Sequence, residues 1–175
     1  MSLDKLHFSA ETPRALVTGL GGFTGRYLAR ELEAAGYRVF GTAHGNESLG
    51  EGMVAVNLCD RAELGRAVAE IKPEVVAHLA AISFVAHGDV EAIYRTNVVG
   101  TRNLLEALAG LEKRPSAVLL ASSANIYGNA AVEVIDESVQ PSPANDYAVS
   151  KLAMEYMARL WMDRLPIIMT RPFNY

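Results

Sequence analysis

Residues 15–37 read ALVTGLGGFTGRYLARELEAAGY: a short apolar run, a cluster of glycines, then a helix-forming segment. Glycine weakens both strands and helices, because it loses the most backbone freedom on folding. Gly19, Gly22 and Gly25 nevertheless stand at the junction, each three residues from the next. That spacing serves three needs at one turn: a sharp reversal, close approach of backbone to a pyrophosphate, and tight packing of the helix on the strand. Free N–H groups at the helix start and the positive end of its dipole then attract phosphate. Between a strand and a helix, the run reads as a dinucleotide-binding turn.

Working outward, short apolar segments alternate with helical ones. The patterning predicts strands at 15–18, 38–42, 53–56, 75–79, 116–122 and 166–170, and helices at 23–35, 61–71, 90–109 and 147–164. The segments EVVAHLA and AVLLAS are apolar on both faces, as parallel strands covered by helices must be. Right-handed crossovers then give an α/β fold with a doubly wound parallel sheet, the Rossmann arrangement. The expected organisation is an N-terminal leader at 1–13 and a dinucleotide-binding domain at 14–175. The polar, proline-bearing stretch 127–146 reads as a surface loop near a site. PIIMTRPFNY stops just after an apolar strand with nothing to cover it, so a C-terminal substrate-binding part is expected to be absent from this chain.

Composition narrows the function. The chain has 175 residues, half of them apolar, enough for one domain with a core. A net charge of −4 without a dense Lys/Arg cluster points away from nucleic acid. No apolar run reaches the roughly 18 residues of a membrane span, and MSLDKLHFSAETP lacks the apolar core of a signal peptide. The single Cys59 cannot form an internal disulfide, which fits a reducing compartment. A soluble, cytoplasmic protein is expected. His7 and His87 have no metal-ligand spacing with each other or with Cys59, so no metal is expected.

The adenosine end of the dinucleotide site is less defined. A site for NAD usually carries an acid at the end of the second strand. Here RVFGTA ends in Ala43 and is followed by His44, with no acid. NADP would want a cation, and His44 or Arg26 are the candidates. The choice between NAD and NADP stays open.

A second constellation lies in NDYAVSKLAMEYM. Tyr147 and Lys151 are four residues apart, so they share a helix face. A neighbouring ammonium favours the phenolate and is expected to lower the tyrosine pKa, fitting Tyr147 to exchange a proton with a carbonyl or hydroxyl. Ser123, at the carboxyl end of the strand 116–122, is placed to hydrogen-bond the same oxygen.

The glycine run, HLAA at 78–81, TNVVGT at 96–101, SSANIYG at 122–128, YAVSK at 147–151 and RPFN at 171–174 occur in the order of the extended short-chain dehydrogenase/reductases. The chain resembles the NAD(P)-dependent epimerase/dehydratase family, which acts on nucleotide sugars. The resemblance implies Tyr147 as acid/base, Lys151 as the residue that holds the nicotinamide ribose, and Ser123 as the group orienting the substrate oxygen. It implies cofactor contacts from Gly19, Gly22, Phe23, Thr24, Gly25, His44, Asn57, Leu58, Leu79, Ala80, Ala81, Asn97, Tyr147, Lys151 and Pro172. Of these, Asn97 would support the site from the third helix, and Asn57 replaces an Asp common in the family. Substrate contacts are implied for Ser83, Ser123, Asn125 and Asn174.

Within that resemblance the chemistry divides. Dehydratases commonly carry a carboxylate just after the catalytic Ser or Thr, and Ala124 and Asn125 supply none. The epimerase-reductases of fucose synthesis place a Cys where Asn125 stands. A 4-reductase and a 4-epimerase remain, and TGLGGFTG, YAVSKLAMEYMA and RPFN are most similar to GDP-6-deoxy-4-keto-mannose reductases. A reading from another class is a non-catalytic NAD(P)-binding sensor or scaffold, though such relatives commonly lose the tyrosine or lysine. The resemblance also implies a homodimer through the helices at 90–109 and 147–164, with Val98, Leu105, Leu108, Leu152 and Met157 offering apolar surface. Met154, Met157 and Trp161 fall at helical spacing and read as core or interface. His78 reads as structural.

Overall fold

The fold begins at Arg14–Thr18 (β1), whose last four residues are buried. A computed structural model describes residues 12–43, 52–83 and 89–173. Strand β1 runs into helix α1 (Phe23–Ala34), and the chain returns through β2 (Arg38–Ala43) and β3 (Met53–Ala55). Helix α2 (Arg61–Ile71) leads to β4 (Val75–His78). A helical stretch follows in three parts: α3 (Val90–Tyr94), a π-helical turn (Arg95–Gly100) and α4 (Thr101–Ala109). Then come β5 (Ala117–Ala121), a 3-10 turn (Ala124–Tyr127), α5 (Asp146–Arg159) and β6 (Ile167–Thr170).

The six strands are all parallel and lie in the order β3-β2-β1-β4-β5-β6. Strand order reverses between β1 and β4, and that switch opens a crevice at the strands' carboxyl ends. The doubly wound arrangement follows as expected from the alternation of apolar segments. Leu16, Val76 and Leu120 from the sheet meet Leu104 and Met154 from the helices, and Trp161 just past α5, in one core. Local signals place the helix starts. Asp60 caps α2 by accepting from the N–H groups of Ala62 and Glu63, whereas the N-cap of α1 is Gly22, which supplies no side-chain bond.

Three expectations need correction. The stretch 90–109 is not uniformly α-helical, because the chain takes a π turn through Arg95–Gly100. A π turn inserts a residue and re-aims side chains. Here Asn97 is buried, and Gly100 lies so near the loop after β3 that a Cβ would come 3.1 Å from that of Leu58. The helix expected over 147–164 ends at Arg159, because Leu160 and Trp161 donate to the carbonyls of Met157 and Ala158, three residues back. These bonds tighten the last turn, and Pro166 cannot continue a helix. Leu105 and Leu108 are fully buried in the chain's own core and offer no interface surface. Met154 and Trp161 are core residues, as expected.

Candidate active site

Gly19 has φ +73°, and a Cβ there would stand 2.8 Å from the backbone N of Ala80. Only glycine lets the β1–α1 turn lie this close to the end of β4. Gly25 is closed as tightly: a Cβ would meet the Gly19 carbonyl and lie 2.7 Å from Leu20 Cα. Gly22 is looser, with its N–H donating to the Gly19 carbonyl at 3.1 Å. Gly19 and Gly25 thus set the turn's shape, while Gly22 caps α1 and itself brings no side-chain acceptor to the helix start. That is the arrangement an anion needs at a 12-residue helix.

The turn forms one wall of a cleft of about 380 Å³ at the carboxyl ends of β1 to β4. Of the residues implicated by sequence, Gly19, Gly22, Asn57, Leu58, Leu79, Ala80 and Ala81 line it. Val56, Cys59, Ile82 and Thr96 line it too and were not foreseen. Val56, Cys59 and Ile82 each adjoin a recognised stretch, and Thr96 opens TNVVGT itself, so reading the motifs one residue wider would have found them. Asn57 is fixed by its own loop: its side-chain oxygen accepts from Cys59 N–H, and its N–H donates to Glu63. Phe23, at the start of α1, is 69% exposed, and Thr24 follows it on the same turn. Arg26 donates to the Gly21 carbonyl at 2.8 Å. His44, Asn174, His7 and His87 lie outside the described residues.

Ser123, Tyr147 and Lys151 come together beyond the end of β5. Ser123 is buried and caps the 3-10 turn by accepting from Asn125 N–H at 3.2 Å. Burial raises the Tyr147 pKa, and hydrogen bonding with Ser123 pulls it the other way. Lys151 is 4% exposed; its Nζ donates to the Ala121 carbonyl at 2.7 Å and stands 5.8 Å from the Tyr147 ring centroid. The expected lowering of the tyrosine pKa by the lysine is therefore corrected. Lys151 gives one of its ammonium protons to a strand-end carbonyl, and desolvation of the neighbouring phenol dominates the tyrosine's shift. Burial also brings the Lys151 pKa down to about 8.

Asn97 ties this group to the cleft without lining it. Its side chain accepts from Ile82 N–H at 2.8 Å and donates to the Ile82 carbonyl and to Ser150 Oγ of α5. Ser83 and Asn125 are exposed beside these elements. The Pro172 carbonyl accepts from Ala124 N–H, so the segment after β6 runs alongside the serine turn. Sequence reasoning missed what secures that segment. Arg171 makes a two-pronged bond to Glu155 at 3.0 and 2.7 Å and reaches Tyr127 Oη at 2.7 Å. Glu155 lies four residues past Lys151, the one hint available in the sequence. Among the described residues no cluster of His, Cys, Asp and Glu is arranged to hold a metal, and no helix is long and apolar enough to cross a membrane.

The sequence pattern of the NAD dependent epimerase/dehydratase family matches residues 15–175. A GDP-6-deoxy-D-talose 4-dehydrogenase of Aggregatibacter actinomycetemcomitans is 34% identical over 164 residues, covering 92% of this chain and 52% of the relative. Other curated relatives carry 4,6-dehydratase, reductase and 4-epimerase names. Among solved structures, a candidate epimerase from Burkholderia cenocepacia J2315 is 54% identical with a TM-score of 0.89, over 94% of this chain and 55% of that one. RMD from Pseudomonas aeruginosa, complexed with NADPH, is 34% identical with a TM-score of 0.76, over 93% and 53%. The chain spans about half the length of the curated relatives it matches.

Proposed function

The chain belongs to the NAD dependent epimerase/dehydratase family, and from that premise we propose that it is a nicotinamide-dependent reductase of a 4-keto-6-deoxy sugar nucleotide. The observation that carries this reading is the meeting of Ser123, Tyr147 and the buried Lys151 beside the carboxyl end of β5. It fits proton exchange with a substrate carbonyl or hydroxyl. The 6-deoxy sugar and the position of the oxygen are supported by the dehydrogenase relative, whose name places its reaction at carbon 4 of a GDP-6-deoxy sugar.

The residues present fit a dinucleotide. The Gly19 turn admits backbone where a Cβ would collide, and the N-cap of α1 is Gly22, which has no side chain to compete for an anion. Gly22, Phe23, Thr24 and Gly25 would hold the pyrophosphate, and Asn57 and Leu58 the adenosine end. Leu79, Ala80 and Ala81 would form the wall, backed by Asn97, while Pro172 and Lys151 would flank the ribose. When bound, NAD(P)H supplies the hydride. Tyr147 then gives its hydroxyl proton to the sugar oxygen while Ser123 holds that oxygen by a second hydrogen bond. Lys151, charged and buried, stabilises the phenolate left behind. Ser83 and Asn125 are exposed and would meet the sugar nucleotide.

A 4-epimerase is the second reading, favoured by the likeness to the Burkholderia protein. A dehydratase is disfavoured despite the 4,6-dehydratase relatives, since Ala124 and Asn125 bring no carboxylate. A homodimer is also proposed. Val99, Val149, Tyr156 and Leu160 leave apolar surface exposed on the π turn, on α5 and just past its end.

Incubation with reduced cofactor and GDP-4-keto-6-deoxy-mannose tests the reading. Oxidation of one cofactor per sugar, with deuterium from labelled NADPH appearing at carbon 4, is the expected result. Interconversion of two 4-hydroxy sugars with no net cofactor consumed would replace it with the epimerase.

A further inference from the structure

His78 ends β4 immediately before the cleft wall and is 3% exposed. Both ring nitrogens are engaged: Nδ1 lies 2.6 Å from Thr18 Oγ1, and Nε2 lies 2.8 Å from Thr101 Oγ1. Each hydroxyl has one proton to give, and their other partners decide where it goes. Thr101 Oγ1 also lies 2.7 Å from the Asn97 carbonyl, which can only accept. Thr18 Oγ1 also receives the N–H of Ala80 at 3.3 Å.

One assignment satisfies every group. Thr101 gives its proton to Asn97 and accepts from His78, so Nε2 carries the ring proton. Nδ1 is then bare and accepts from Thr18, which in turn accepts from Ala80. The opposite tautomer would leave two oxygens 2.7 Å apart with no proton between them. It would also strand the Thr18 proton in a fully buried position. An imidazolium would strand that proton equally. Burial, and to a lesser degree the charge of Lys151, bring the His78 pKa down to about 3, which agrees with a neutral ring.

The chain of bonds has two ends that matter. One is Ala80, in the cleft wall. The other passes from Asn97 to Ile82, again in the wall, and to Ser150, whose hydroxyl donates to the Tyr147 carbonyl at 2.7 Å. The wall and the catalytic helix are thus held by one network that meets at Asn97, whose carbonyl accepts from Thr101 and whose side chain exchanges bonds with Ile82 and donates to Ser150. Such a network fixes geometry only while all its members are satisfied.

We propose that His78, held as the neutral Nε2–H tautomer between Thr18 and Thr101, is a positioning residue that registers the cleft wall Leu79–Ile82 against α5. The inference rests on the reading of that cleft as the dinucleotide site. A neutral ring also spares Lys151 a second buried cation beside it.

Two measurements on the full chain test this. Long-range proton–nitrogen NMR correlations read the tautomer directly, with a protonated Nε2 and a bare Nδ1 expected from pH 8 down to pH 5. A protonated Nδ1, or an imidazolium in that range, overturns the proposal. The second measurement compares NADH and NADPH affinity in Thr101→Val and Thr101→Ser. Thr101 does not line the cleft, and valine keeps its shape while removing the hydroxyl. Thr101→Val is expected to weaken cofactor binding about tenfold, because a buried donor and acceptor lose their partner, while Thr101→Ser keeps wild-type affinity. If Thr101→Val does not fold, Ser150→Ala cuts the network at its α5 end and is expected to weaken binding in the same direction. Wild-type affinity in a folded Thr101→Val or Ser150→Ala overturns the proposal. Failure of the wild-type chain to bind either cofactor overturns the cleft reading instead.

Discussion

Replacing Tyr147 with phenylalanine is expected to lower kcat by about 10²- to 10⁴-fold, the range spanned by loss of a positioned acid, without changing cofactor affinity. The substitution removes one oxygen. The ring stays half-buried beneath Lys151, whose Nζ is 5.8 Å from its centroid and is held by the Ala121 carbonyl rather than by the phenol. The lost interaction belongs to the transition state, so kcat and kcat/KM should fall together. Steady-state kinetics with a fluorescence titration of cofactor checks both parts. A variant that turns over normally would remove Tyr147 from the mechanism, and a non-catalytic sensor would show no change of any kind. The same geometry fixes a pH dependence. With the Lys151 pKa held near 8 by burial, the ammonium is present below that pH and lost above it. The phenolate left after proton donation then loses its charge partner, so the rate of reduction should fall as pH rises past about 8.

Glu155→Ala is expected to cost about 3–5 kcal/mol of stability, as breaking a buried ion pair does. The carboxylate is 1% exposed and accepts both prongs of Arg171. Its pKa reflects a contest. Burial pushes it up, and the Arg171 bonds and charge, helped by Ser122 and Arg159, bring it below the usual range. Removing Glu155 leaves the guanidinium uncompensated against the sheet. The damage reaches the chemistry through the backbone. Thr170 and Pro172, on either side of Arg171, accept from the N–H groups of Ser122 and Ala124, and Ser123 sits between those two. Activity should therefore fall further than the unfolded fraction accounts for. Replacing Glu155 and Arg171 together with leucine and methionine should cost less than Glu155→Ala alone, because no charge is then stranded. Denaturant titrations of the three proteins measure this, and equal stability for Glu155→Ala and wild type would contradict it.

What was legible in the sequence follows from how local each signal is. The glycine triplet and the Tyr147–Lys151 spacing are short-range patterns whose geometry a strand–turn–helix dictates, and both lie where that geometry requires. Alternating apolar segments carried the sheet, because parallel strands buried on both faces look like little else. The π turn was invisible, since TNVVG has no composition that separates it from an α-helix. Leu105 and Leu108 misled because an apolar helix position reads the same whether it faces the chain's own core or a second copy. The tyrosine's pKa could not be foreseen from spacing, as it follows from how deeply the assembled elements bury the phenol and from its bond with Ser123. The Arg171–Glu155 brace and the His78 network join residues from different elements, so they emerge only once the sheet is assembled.

The central claim is that the glycine turn and the cleft bind a nicotinamide dinucleotide. Titrating the chain with NADPH and with NADH, following energy transfer from the buried Trp161 to the nicotinamide, tests it most directly. Saturable quenching by at least one of them is the predicted result, and the ratio of the two affinities assigns the preference that Ala43 and His44 leave open. No saturable binding of either by a chain whose melting curve shows it folded would contradict the account.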